Sequence, residues 1–430
     1  MVQGPVGVTV AGDIPSTPVL VDDLPYQDAL RPTLATLANH IANVVDSAPL
    51  TCPILITGDW GAGKTTLLHA VCKRLGVELR GDGAVPTVVF EAWHYESANS
   101  LLPALMRRIW ETAPSAYRAK KAAKALLWEL IHWAASVATR MITPVSGIAL
   151  GLPPGLDEEL DLGKATKRAA KVLGDLMPPP DPLDALRDSF ARLVRDAWGD
   201  KSPVVFVDDL DRCNPHDAVL LLDAIRALAT AAERLRVRFV VAIDRTVVTQ
   251  AISAKFANIR GYDGNRYLEK IFPLEFCVPH PAKQEIRDMI ELLAVPLDDA
   301  ERKLTVFALT EALDRPYFAN TRLIKRCFNR YRLLRFFEQH GPAKGDADKL
   351  SLQWIAATER WPRLRTLQQR RQPDFWTQAA RRGTTDDPDF QLLMAEPGFQ
   401  PWLASHNWPN AVDTLDRYDE ADGRLRRFGM

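Results

Sequence analysis

Pro53-Ile54-Leu55-Ile56-Thr57-Gly58-Asp59-Trp60-Gly61-Ala62-Gly63-Lys64-Thr65-Thr66-Leu67-Leu68 is the stretch from which the fold can be read. An apolar run with the pattern of a buried strand enters a G-x-x-x-x-G-K-[ST] spacing at residues 58–65, and a helical pattern follows. Both flanks matter, because such a loop works only between a strand and a helix. Glycine has no Cβ, so backbone N–H groups can turn toward a phosphate, and the helix adds the positive end of its dipole. Gly58, Asp59, Trp60, Gly61, Ala62, Gly63, Lys64, Thr65 and Thr66 are therefore expected to cradle a nucleotide. Lys64 would reach the β- and γ-phosphates, and the Thr65 hydroxyl would join Mg²⁺.

Three further strand patterns end in polar residues. Pro203–Val207 runs into Asp208-Asp209-Leu210-Asp211-Arg212. Beside the phosphate loop, Asp208 would hold Mg²⁺, and Asp209 could orient or deprotonate the attacking water. Arg238–Ile243 ends in Asp244-Arg245, a tip that in this class of fold lies by the γ-phosphate, which makes Asp244 a candidate sensor. Thr87–Phe90 is followed by Glu91-Ala92-Trp93-His94-Tyr95-Glu96, either a ligand-side cluster or a packed turn. With Pro273–Val278 there are five strands alternating with helices. The expected class is α/β: a doubly wound, mostly parallel sheet with a helical insertion and a C-terminal helical lid or bundle.

Composition narrows the partners. Of 430 residues, 47% are hydrophobic and 25% charged, and Lys+Arg balance Asp+Glu at 54 each, so neither a disordered nor a fibrous class fits. The neutral balance argues against a surface that binds polyanions throughout. Five cysteines, at 52, 72, 213, 277 and 327, show no C-x-x-C pair, which suggests reduced thiols in a cytoplasm and no zinc site. Met1–Pro18 lacks the basic start and apolar core of a secretory signal.

The remaining patterns are helical. Ala29–Val45 carries apolar residues at helical spacing, Asn214-Pro215 makes a helix start, and a hairpin-like connection is expected between Arg245 and Tyr267. Residues 120–156 are the most apolar part of the chain, but Glu129, His132 and Arg140 interrupt them and Pro144 and Pro153 break them. A buried or interfacial helical hairpin is favoured over a bilayer span, with membrane association left open. Arg322–Phe337 is strongly basic, either a solvated face or a surface for a polyanion, with Arg322 able to reach a nucleotide from a lid. Basic residues recur at Arg360, Arg363, Arg365, Arg370 and Arg371 with little aromatic alternation, so nucleic-acid binding is weakly supported. The expected divisions are 1–100 and 182–279 for the two parts of the α/β core, 101–181 for the insertion, 280–372 for the lid and 373–430 for a helical extension.

In this order, GDWGAGKTTLL (58–68), FEAWHYE (90–96), VVFVDDLDRCNP (204–215), FVVAIDR (239–245) and YLEKIF (267–272), then NTRLIKRCFN (320–329) and LQWIAATERWPRL (352–364), resemble the KAP family of P-loop NTPases over roughly residues 20–365. The resemblance implies an ATPase with Lys64 and Thr65 on phosphate and Mg²⁺, Asp208 as the metal-side carboxylate and Asp209 orienting water. It also implies Asp244 and Arg322 as sensors of the γ-phosphate, and a role in phage defence or membrane-associated signalling. Family members often carry membrane helices between the two acidic and lysine-bearing motifs, and 208 − 64 = 144 residues leave room for them here. Glu91 stands where an Asn is usual, and Thr321 replaces the usual Pro before the lid arginine.

The leading expectation is an ATP- and Mg²⁺-dependent switch that works by conformational change or assembly, as a homo-oligomer or with a partner protein. ATP is favoured over GTP because no N-K-x-D guanine reader is present and because the resemblance implies an ATPase. If a neighbouring subunit supplies an arginine, Arg212, Arg245 and Arg266 are candidates. The alternative is a nucleotide-gated scaffold that binds ATP with little turnover and recruits a partner through its helical C-terminal region.

Overall fold

Alternate residues of the same strands turn to opposite faces, and this builds two cores on one sheet. The computed structural model describes residues 20, 30–47, 52–78, 85–96, 100–142, 181–199, 201, 203–231, 237–256, 263–297, 299–313, 318, 320–338, 346–370, 387–405 and 411–427. Its strands are β1 (Ile54–Thr57), β2 (Thr87–Glu91), β3 (Val204–Asp208), β4 (Arg238–Ile243) and β5 (Leu274–Cys277). Ile54, Ile56, Phe206 and Val240 pack on one face with Leu34, Ile41, Leu67 and Val71. Leu55, Val205, Val207, Phe239 and Val241 pack on the other with Phe90, Leu105, Phe190 and Leu221. Strands covered on both faces carry unbroken apolar runs, and β1 and β3 are buried at every residue.

All pairings are parallel, in the order β2-β3-β4-β1-β5. β4 therefore lies between β1, which leads into the glycine loop, and β3, which carries the acidic tip. Register sets Glu91 opposite Asp208 across β2 and β3, and Thr57 opposite Ile243 across β1 and β4. The carboxyl ends of the five strands thus form one edge.

Among the described residues the connection after β4 is helical, not hairpin-like. Asp244 Oδ1 accepts from the N–H groups of Thr246 and Val247 and starts the helix Arg245–Lys255, and Gly264–Ile271 packs beside it. Parallel strands require a crossover, and a two-residue turn cannot supply one. Close approach depends on Gly264, where a Cβ would meet the Thr249 carbonyl oxygen at 2.5 Å.

The first limb of the apolar segment is a single helix, Lys121–Ile142. Its Leu126, Leu130, Ala134 and Val137 enter the core beside Leu105 and Phe190, and Glu129 accepts from Ser189 Oγ at 2.7 Å and pairs with Arg192. The charge that interrupts the apolar run thus has partners on helix Pro182–Trp198. Residues 143–156, which would form the second limb, lie outside the described residues. Among the described residues no helix is long and apolar enough to cross a membrane.

The chain divides into two compact units, one formed by Pro25–Pro279 and a second that includes His280–Met430. The second is helical: Lys283–Leu293, Asp299–Leu313, Thr321–Phe337, Asp346–Arg360, Pro362–Arg370, Pro388–Ala395, Phe399–Ala404 and Ala411–Arg426. The basic helix Thr321–Phe337 is largely an inner seam of this unit, not a solvated face. Lys325, Arg332 and Arg335 are buried, Arg332 pairs with Glu301 at 3.0 Å, Arg335 with Asp348 at 3.6 Å, and Arg326 and Arg330 share Glu359. The carboxylates that neutralise it come from helices distant in sequence, which no local pattern reveals.

Candidate functional site

The loop that leaves β1 is tight around its glycines. A Cβ on Gly58 would stand 3.0 Å from Val278 Cβ, and one on Gly63 would meet Leu34 Cδ1 at 3.3 Å. Gly61 and Gly63 have φ of 83° and 104°, left-handed values that L-residues rarely adopt. The Ala62 N–H bonds to the Asp59 carbonyl at 3.0 Å, and the Leu67 N–H to that of Gly63 at 2.9 Å, so the loop closes directly onto helix Lys64–Lys73. Arg31, which no sequence signal marked, donates from Nη2 to the carbonyls of Ala62 at 3.2 Å and Pro279 at 3.4 Å.

Lys64, only 7% exposed, donates from Nζ to the carbonyls of Gly58 at 2.8 Å and Asp59 at 3.3 Å. Asp208, 2% exposed, accepts from the Asp209 N–H at 2.9 Å and shares a hydrogen bond with the Thr65 hydroxyl. Burial pushes the Asp208 carboxyl up to about 6; the Thr65 bond opposes this, the Asp209 charge adds to it, and the Asp209 N–H and Lys64 lower it. Lys64, Thr65 and Asp208, drawn from two distant motifs, thus meet at one place.

Asp209 follows in a left-handed conformation at φ 57°, with its carboxylate 3.1 Å from Arg212 Nη2. Burial raises its pKa, Arg212 opposes the rise, and the charges of Asp211 and Glu91 add to it. Trp60 and Trp93 lie against the Arg212 guanidinium. Asp244 stands at the end of β4 with its carboxylate on the first amides of the following helix. Arg322 belongs to the helical unit, where its N–H bonds to the capping Asn320 Oδ1 at 3.0 Å.

Of the arginines considered for supply to a neighbour, Arg245 is bound to Glu275 and, at 3.0 Å, to Asn265 Oδ1, while Arg266 is 84% exposed with Asp263 at 4.0 Å. Glu275 also accepts from Thr57 Oγ1 at 2.8 Å, which ties the tip of β4 to the last residue of β1.

The donor set fits a magnesium-bound phosphate chain: glycine-lined amides and an ammonium for the anion, a hydroxyl and a carboxylate oxygen for a hard cation. Among the described residues no group of three or more His, Cys, Asp or Glu could hold a metal ion.

Comparison with known proteins gives likenesses of sequence and of fold. The chain is 24% identical over 294 residues to the phage T7 exclusion protein of Escherichia coli (strain K12), covering 62% of this chain and 35% of that relative's length. Among solved structures, it is similar to the Aeropyrum pernix ORC2 protein in its ADP form, at 12% identity and a TM-score of 0.42 over 95% of this chain and 97% of that one. A Walker-type ATPase of Pyrococcus abyssi follows at 11% identity and a TM-score of 0.36, over 95% of this chain and 98% of that one. The model of the KAP family P-loop domain matches residues 34–335, most of the sequence, and the chain belongs to that family of P-loop NTPases.

Proposed function

We propose that the chain binds ATP with Mg²⁺ and hydrolyses it, using turnover to drive a conformational or assembly switch. The observation that carries this reading is the meeting of Lys64, Thr65 and the buried Asp208 at the carboxyl edge of the sheet. The amides of residues 58–66 and the Lys64 ammonium bind and orient the phosphates, while Thr65 and Asp208 hold the cation. Mg²⁺ supplies charge neutralisation on the β- and γ-phosphates. Asp209 orients the attacking water or takes its proton, Asp244 senses the γ-phosphate from the β4 tip, and Arg322 acts as a lid sensor. Such catalysis is positioning and charge stabilisation, with no covalent step on the protein.

The divisions proposed are a core from residues 1–100 and 182–279, an insertion at 101–181, a lid at 280–372 and an extension at 373–430. Likeness to a protein named for phage exclusion supports a role in antiviral defence, with a homo-oligomer or partner protein as the responding element. Five free cysteines suit a cytoplasmic setting.

Phosphate release by wild type, Lys64→Ala and Asp209→Asn, with Mg²⁺ and with chelator, tests the reading. Turnover that needs Mg²⁺ and falls in both variants is expected. Equal, negligible release by wild type and Asp209→Asn, with nucleotide still bound, would leave the nucleotide-gated scaffold.

A further inference from the structure

Arg212 completes a cluster that neither motif announces. Its guanidinium carbon lies 5.9 Å from the centre of the Trp60 ring and 5.4 Å from that of Trp93, and its Nη2 is 3.1 Å from Asp209 Oδ1. The contributors are the glycine loop, the turn after β2 and the turn after β3, three segments brought together only by the sheet. Trp60 and Trp93 are 57% and 48% exposed, a heavy exposure for indole rings. A planar guanidinium can stack on aromatic faces and still present its fork to a carboxylate, which a lysine ammonium cannot do.

The backbone beneath is equally constrained. Asp209 is the one non-glycine residue with positive φ among the described residues. Its carbonyl accepts from the Arg212 N–H at 3.2 Å and from the Cys213 thiol at 3.6 Å. A left-handed carboxylate residue persists where its surroundings over-determine it, and such strain gathers at functional sites.

We propose that Arg212 is the positioning residue for Asp209. With Trp60 and Trp93 against its guanidinium, it keeps the Asp209 carboxylate in the orientation from which that group acts on water. It sets turnover and leaves nucleotide affinity alone. This inference rests on the ATPase reading above and deepens it. Delivery of Arg212 to a neighbouring subunit's phosphates would instead require it to leave Asp209 and both rings.

The test is a kinetic double-mutant cycle, with kcat and KM for ATP measured on wild type, Arg212→Ala, Asp209→Asn and the double variant. Arg212→Ala should lower kcat on the order of tenfold to a hundredfold, with KM kept within about twofold. In the Asp209→Asn background the same change should add nothing, because its route of action is already gone. Asparagine also tolerates left-handed φ, so this background preserves the backbone. Trp93→Leu should lower kcat in the same direction by less, and Arg212→Lys should behave more like Ala than like wild type. These two variants carry the test if Arg212→Ala does not fold. Losses that multiply in the double variant, or that appear in KM, overturn the positioning role and leave ATPase activity standing. A wild type without turnover overturns both.

Discussion

Replacing Asp208 by Asn should stabilise the nucleotide-free α/β unit at neutral pH while removing its response to Mg²⁺. The carboxylate is 2% exposed, and burial raises its pKa from 3.8 to about 6 against the Thr65 hydroxyl and the Asp209 N–H. A raised carboxylate pKa means that the folded state binds the proton more tightly than the unfolded chain does. The stability linked to that proton is therefore complete below 3.8 and is lost as pH rises through about 6. At about 1.36 kcal/mol per pH unit, the span from 3.8 to about 6 amounts to roughly 3 kcal/mol as an upper bound. Asn keeps an oxygen for the Asp209 N–H, 2.9 Å away, and for the Thr65 hydroxyl, but it has no charge to desolvate. Since about 1 kcal/mol moves Tm by ~2–4 °C in a unit of this size, the variant should melt several degrees above wild type at pH 8. Melting in chelator across pH 5 to 8 measures this, and the advantage should narrow to about half at pH 5. A variant that melts below wild type at pH 8, or an advantage of equal size at both ends, would refute the reasoning.

Gly264→Ala should destabilise the α/β unit by ~1–3 kcal/mol in urea unfolding, because the new Cβ would stand 2.5 Å from a backbone oxygen that cannot swing aside. Gly63→Ala, at φ 104°, should cost about 1–2 kcal/mol of stability and weaken nucleotide binding in a fluorescence titration. Arg424→Ala should lower the stability of the helical unit by roughly 3 kcal/mol, since it strips Asp348, at 2.6 Å, and Glu338 of a shared cation in a buried setting. Alkylation of the native protein should modify the exposed Cys277 well before Cys213 and Cys72, whose thiols burial pushes up to about 12 and about 11. Early labelling of Cys213, read by peptide mass spectrometry, would contradict its burial.

The local chemistry was legible in the residues. The glycine loop before Lys64 reads directly because left-handed φ and close backbone approach demand glycine at fixed spacing. The apolar runs that became β1, β3 and β4 also read directly, since strands buried on both faces cannot alternate with polar residues. The Asn214-Pro215 helix start is equally local, and the His216 N–H bonds to Asn214 Oδ1 at 2.9 Å. The helical link after β4 was missed because Gly264, which reads locally as a turn residue, instead lets the helices Arg245–Lys255 and Gly264–Ile271 meet.

What only the tertiary structure decided are relations between segments far apart in the chain. That β4 lies between β1 and β3, that Arg31 ties down the phosphate loop, and that Trp60 and Trp93 lie against Arg212 depend on strand order and register. The same holds for the basic helix Thr321–Phe337, whose charges face inward to carboxylates on other helices. A sequence specifies which backbone conformations and which buried faces are affordable over a few turns. Which partner neutralises a charge, and which ring covers it, follows only when the sheet closes the distance.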